Sequence, residues 1–260
     1  MQSTYLKTKD SLWIKGTNYP TAPIAGSGLK ISLHSADPVF TGASEIAFTR
    51  IAPTTYGTVV TLGLSRQFSI NQALLFVNSP ITGSATYWGS WDAVTGGNFL
   101  GGGQFLDSSG IPTPIAITAA NDVTISSGAI CFAYQRNVFS DYFIDAKLNW
   151  LKGTAFPTAP ASVRASLGTG LQSDGTGTNS GLARQPVSWG ADTTITNYIR
   201  VANSAQVNFG TLASALTLDS VGFHDALTAG NLLWVGRFSS RTFAIGEIPL
   251  WEIGAINVDF

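Results

Sequence analysis

The chain has 260 residues and a formal net charge of −1, and only 11% of it is charged, against about 25% in ordinary globular proteins. That balance excludes binding by neutralisation of nucleic-acid phosphates, and the single cysteine, Cys131, excludes internal disulfides and thiolate metal cages. A hydrophobic content of 44% supplies a core, yet no apolar run reaches the roughly 18 residues of a membrane span and no signal-peptide pattern opens the chain.

In chain order, the first predicted element is a short amphipathic helix from Tyr5-Leu6 to Trp13-Ile14, with apolar residues three and four apart. Gly16 stops it, and Lys15 falls in its last turn, where the helix dipole favours a cation. Pro20-Thr21-Ala22-Pro23 then reads as extended, because proline fixes φ and disfavours helix at the residue before it. Short strands follow at 29–34, 58–64, 73–77, 85–91 and 123–125, separated by turns rich in Gly, Asn, Ser and Asp. A second helix is expected from Tyr142-Phe143-Ile144 to Trp150-Leu151, stopped by Gly153, with Pro157-Thr158-Ala159-Pro160 extended after it. Strands at 163–167, 206–209, 220–223, 232–238 and 255–258 complete the chain. Many short strands at this spacing, with no helix long enough for a parallel sheet, predict an all-β fold of β-sandwich type.

The two halves of that order are versions of one text. WIKGTNYPTAP at 13–23 and WLKGTAFPTAP at 150–160 agree at eight of eleven positions. GSWDAVTGGNFLGGG at 89–103 aligns with GFHDALTAGNLLWVG at 222–236, so that Asp92 pairs with Asp225, Gly97 with Gly230 and Asn98 with Asn231. Ser32-Leu33 pairs with Ser166-Leu167, Arg50 with Arg184, and Gly128-Ala129-Ile130 with Gly254-Ala255-Ile256. The blocks keep their order, which predicts a tandem duplication: two β-sandwich-like modules at 1–138 and 139–260, each with a short N-terminal helix. Residues 132–141 form a short link without a Pro/Gly spacer, so tight packing of the modules is expected.

Chemistry-bearing motifs are sparse. Asp92 and Asp225 stand before a Gly-containing loop, where a calcium or sugar site is one reading. An Asx-turn is the favoured one, since one carboxylate per loop falls short of the several oxygens calcium needs. Trp88 and Trp91 could form a carbohydrate platform, but alternating bulky residues on a strand more often make a core or an assembly interface. His34 and His224 occupy non-equivalent places in the two copies and read as surface or hydrogen-bonded histidines. No nucleophile elbow, Cys/His pair or phosphate loop is present; Gly101-Gly102-Gly103 runs into Gln104 and Phe105 instead of a helix start. Lys7, Lys9 and Lys15 read as a solvated helix face. These features point to a non-enzymatic protein with no cofactor and no metal.

The helix, the Gly-Thr-x-(Tyr/Phe)-Pro segment, the Ala183-Arg184-Gln185-Pro186-Val187-x-Trp189 run and the Asp-Ala-x-Thr-x-Gly-Asn turn together resemble a family from tailed-bacteriophage structural gene clusters, labelled tail-fibre-like or virion proteins. The second copy is nearer to that pattern, and the first departs from it at 47–53. The resemblance implies a virion protein. The leading expectation is a head decoration or cement protein on the capsid surface, bridging neighbouring major capsid proteins as a homodimer or homotrimer. The alternative is a tail or tail-fibre component that adsorbs to host carbohydrate. Binding to nucleic acid or membrane is not expected. The candidate contacts are Tyr5, Lys7, Lys9, Trp88, Trp91 and Asp92, with the loop at 96–103.

Overall fold

A computed structural model describes residues 2–23, 28–107, 109–136 and 138–260. Among the described residues the fold is all-β with two helices, and its sheets are built largely of antiparallel pairs. The chain divides into two compact units: unit 1 is Met1–Lys7, Pro20–Tyr134 and Lys147–Phe156, and unit 2 is Thr8–Tyr19, Gln135–Ala146 and Pro157–Phe260. Each unit is therefore built from both halves of the sequence. The expected link at 132–141 includes Asn137, which lies outside the described residues.

Both helices have 11 residues, α1 at Thr4–Ile14 and α2 at Asp141–Leu151, and both are delimited by the same chemistry. At the start a serine caps each: Ser3 Oγ accepts from Leu6 N–H at 3.2 Å, and Ser140 Oγ from Phe143 N–H at 3.1 Å. At the end, Gly16 (φ 93°) and Gly153 (φ 100°) take the left-handed conformation. Thr17 N–H then reaches Leu12 O and Gly16 N–H reaches Trp13 O, while Thr154 and Gly153 do the same to Asn149 and Trp150. These are paired Schellman closures, and they give the Lys-Gly-Thr triplet its structural meaning. Lys15 and Lys152 fall just past the helices, one residue later than the expected last turn.

In unit 1, strands β1 (Lys30–His34), β2 (Tyr87–Trp91) and β3 (Phe99–Gln104) form an antiparallel sheet with β2 in the middle. Every residue of β1 is buried, so this sheet is covered on both faces. A second sheet runs Cys131–Gln135, Ser65–Ser69, Val60–Leu62. The two sheets meet through aromatic rings: Trp88 from β2 makes an edge contact with Phe132 at 4.8 Å, and Phe132 stacks on Phe68 at 5.0 Å. This is the sandwich core. The glycines of 101–103 lie inside β3 and not in a loop after a strand. A Cβ on Gly102 would stand 2.3 Å from the Trp88 carbonyl oxygen, so only glycine lets β3 approach β2 here.

Unit 2 repeats the arrangement with β4 (Arg164–Thr169), β5 (Leu216–His224) and β6 (Leu232–Phe243), β5 lying between the other two. Thr178–Asn179 and Gln185–Pro186 also pair with β4. A second sheet runs Thr193–Ile195, Tyr198–Ala202, Asn257–Asp259. Phe223 stacks on Trp234 at 4.8 Å, with Trp189 5.9 Å from Trp234. The correspondence extends to irregularities: the β2–β3 ladder shifts register between Ser90 and Trp91, and the β5–β6 ladder between Phe223 and His224. β6 runs six residues longer than β3 and carries a further shift opposite Leu218–Ser220.

Candidate functional site: two braced Asp–Asn turns

The loop after the central strand of each unit is an acidic turn closed on itself. In unit 1, Asp92 Oδ1 accepts from the backbone N–H of Asn98 at 2.6 Å, and Oδ2 accepts from the Asn98 side-chain amide at 2.7 Å. In unit 2, Asp225 binds Asn231 in the same two ways, at 2.7 and 2.8 Å. The donor is six residues on, so this is a wider closure than the two-residue Asx-turn read from the sequence, and the asparagine is its second half. Gly97 (φ 73°) and Gly230 (φ 70°) make the reversal. A Cβ there would press on the aspartate, 2.5 Å from Asp92 Oδ1 and 2.6 Å from Asp225 Oδ1.

An arginine remote in sequence braces each turn. Arg50 donates from one guanidinium nitrogen to Ala93 O at 3.1 Å and Gly96 O at 2.6 Å. Its other two nitrogens hold Glu45 at 2.7 and 2.8 Å, and its charge lies 3.6 Å over the Trp91 ring. Arg184 donates to Ala226 O at 2.9 Å and also to Ala229 O. Burial lowers the pKa of Arg184, with the Asp225 charge opposing it. The sequence aligned both arginines but assigned them no role; the usable signal was that their spacing nearly equals that of the aspartates they serve.

The braced loops are exposed, and each presents one apolar side chain at an aligned position, Val94 at 44% exposure and Leu227 at 53%. With both oxygens of each aspartate engaged by one asparagine, these carboxylates are turn locks. Among the described residues, no group of three His, Cys, Asp or Glu side chains is placed to hold a metal ion.

The remaining candidates separate. Tyr5 is half-buried near Asp92, and burial, then the Asp92 charge, raise its phenol pKa; Tyr142 stands to Asp225 in the same way in unit 2. Lys7 is half-buried over the Phe40 ring at 4.2 Å, and burial lowers its pKa. Lys9 is half-buried, and Lys15 pairs with Asp192 at 2.7 Å, so the three lysines are not a freely solvated face. Trp88 and Trp91 are 5% and 8% exposed, which places both in the core and removes their faces as a platform. Both histidines are interior and not at the surface. His34 contacts Ser32 Oγ at 2.8 Å and Ala43 O at 2.7 Å. His224 occupies the register position of Trp91, each facing the first residue of the neighbouring strand, so the two histidines are indeed non-equivalent.

These are two sandwich units carrying the same exposed, hydrogen-bonded turn. Residues 138–259, just under half of the chain, match the model of the family described as podophage GP4 fiber I protein gp80. That match supports a phage virion structural protein. No curated protein matches the chain.

Proposed function

We propose that this chain is a non-enzymatic structural component of a tailed-phage particle, belonging to its fibre apparatus, with the braced turns as contact elements toward neighbouring virion subunits. The observation that carries this reading is the match of residues 138–259 to a fibre family, over a region that contains the whole Arg184–Asp225–Asn231 turn. The geometry supports it physically. A loop that is already ordered loses little conformational entropy on docking, and one apolar side chain at its tip supplies a contact without the cost of burying charge. Two such turns in one chain engage two sites with added avidity. No cofactor or metal enters this reading, and its partners are virion proteins, not nucleic acid or membrane.

The head-decoration reading, with the major capsid protein as partner and a homodimer or homotrimer as the acting form, keeps one supporting observation. A repeated turn suits a lattice of equivalent neighbouring sites. Cryo-electron microscopy of the intact particle separates the two. Density for this chain at the tail and its fibres supports the fibre reading. Density in many symmetry-related copies bridging capsid subunits overturns it in favour of cement.

A further inference from the structure

The segments 13–23 and 150–160 agree at eight of eleven positions, and the fold sets them in a reciprocal relation. In unit 2, Trp13 donates its indole N–H to the carbonyl oxygen of Pro157 at 2.9 Å. In unit 1, Trp150 donates its indole N–H to the carbonyl oxygen of Pro20, also at 2.9 Å. Trp13 aligns with Trp150 and Pro20 with Pro157, so these two bonds are one contact made twice. Both indoles are fully buried. Further anchors flank them: Lys15 pairs with Asp192 in unit 2, and Lys152 Nζ donates to Gly57 O at 3.3 Å in unit 1. Each unit is thereby closed by a piece of the other half of the sequence, residues 8–19 in unit 2 and 147–156 in unit 1.

A contact in which i meets j while the equivalent of j meets the equivalent of i is isologous, the kind a twofold pair makes. It restrains both partners together, because a change in one segment alters a donor on one side and an acceptor on the other. Proline suits the acceptor role, since it has no N–H to engage a ladder and its carbonyl stays available.

We propose that the Trp-x-Lys-Gly-Thr-x-(Tyr/Phe)-Pro-Thr-Ala-Pro segment is a self-recognition element, whose binding partner is the second copy of the same segment, and that the two halves of this chain exchange it reciprocally. The proposal stands apart from the virion reading and does not depend on it.

The test uses the full chain with a protease site introduced beside Val138. A zero-length carbodiimide is applied at high dilution. It activates the Asp192 carboxylate, and the Lys15 amine then loses a proton and forms the amide, the displaced oxygen leaving in the urea. After cleavage, exchange predicts that the two halves remain covalently joined on a denaturing gel, with the Lys15–Asp192 peptide identified by mass spectrometry. The joint should disappear in Lys15→Arg and in Asp192→Asn. Cleaved chain without cross-linker should stay together on native gel filtration, and the double variant Trp13→Phe, Trp150→Phe should separate at higher protein concentration than the parent. Halves that separate freely after cleavage, or a Lys15–Asp192 amide confined to species of twice the chain's mass, overturn exchange within one chain.

Discussion

His224 stands in unit 2 where Trp91 stands in unit 1, and each binds the hydroxyl of an aligned serine: Trp91 Nε1 donates to Ser32 Oγ at 2.8 Å, and His224 Nε2 lies 2.9 Å from Ser166 Oγ. The substitution replaces a ring that is neutral at every pH by one that can charge. His224 is 6% exposed, and its Nδ1 has no hydrogen-bond partner among the described residues. Burial, and then the positive charge of Arg184, lower its pKa from 6.5 to about 4.

A pH dependence follows. Between about pH 4 and 6.5 the unfolded chain binds a proton at His224 that the folded chain does not, so stability rises with pH across this window. The contribution is complete above pH 6.5 and is lost as pH falls toward 4. His34, whose pKa burial also lowers, acts in the same direction. After allowing for solvent screening, His224 should account for on the order of 2 kcal/mol. Thermal unfolding from pH 4 to 7.5 should show a shallower slope in His224→Gln than in the parent. Equal slopes would show that His224 is not the responsible group.

The braced turns should be energetically local. Gly230→Ala forces a side chain into the left-handed region and onto Asp225, at a cost of about 1–3 kcal/mol. Asn231→Ala removes the amide bond to Asp225 and should cost about 1–2 kcal/mol. Denaturant midpoints would measure both. If Gly230→Ala is neutral, the loop is looser than its hydrogen bonds indicate.

Arg50 is the more committed of the two braces. Its loss frees two carbonyls, removes a charge from the Trp91 ring and leaves Glu45 without its bidentate partner. Arg50→Met should therefore cost about 3 kcal/mol. Arg184→Met, which strands no such bidentate carboxylate, should cost less. Urea unfolding of both variants tests the order, and a reversed order would count against the Glu45 pairing.

Trp13→Phe keeps most of the buried ring but loses the donor to Pro157, leaving a part-buried carbonyl short of a partner. The expected cost is about 1–3 kcal/mol, with a similar value for Trp150→Phe. Near-equal effects in chemical denaturation are the signature of one contact made twice. A large inequality would show that the two environments differ more than their hydrogen bonds do.

Much of the secondary structure was legible because local signals and tertiary demands agree. Helix ends came from Gly16 and Gly153, and strands such as 123–125 from β-branched runs between turns. Strand β3 was less legible, because three glycines weaken every propensity argument and only the approach of Trp88 explains them. Trp88 and Trp91 read as core or assembly interface ahead of a carbohydrate platform, but a pattern of alternating bulk does not say which of the first two, and only their burial places them in the core. Lys15 read as a solvated last-turn cation because Asp192, its partner, is remote in sequence.

By itself, the sequence determined the all-β class, the two capped helices and the recurrence of the Asp–Asn turn, because each depends on residues within a few positions of one another. Tertiary structure alone decided which arginine braces which turn, that His224 takes the place of Trp91, and that residues 8–19 and 147–156 close units dominated by the other half of the chain. Those outcomes rest on contacts between residues dozens to more than a hundred positions apart. Such contacts are selected by burial and hydrogen-bond satisfaction after the chain has collapsed, and they leave no periodicity in the sequence to read.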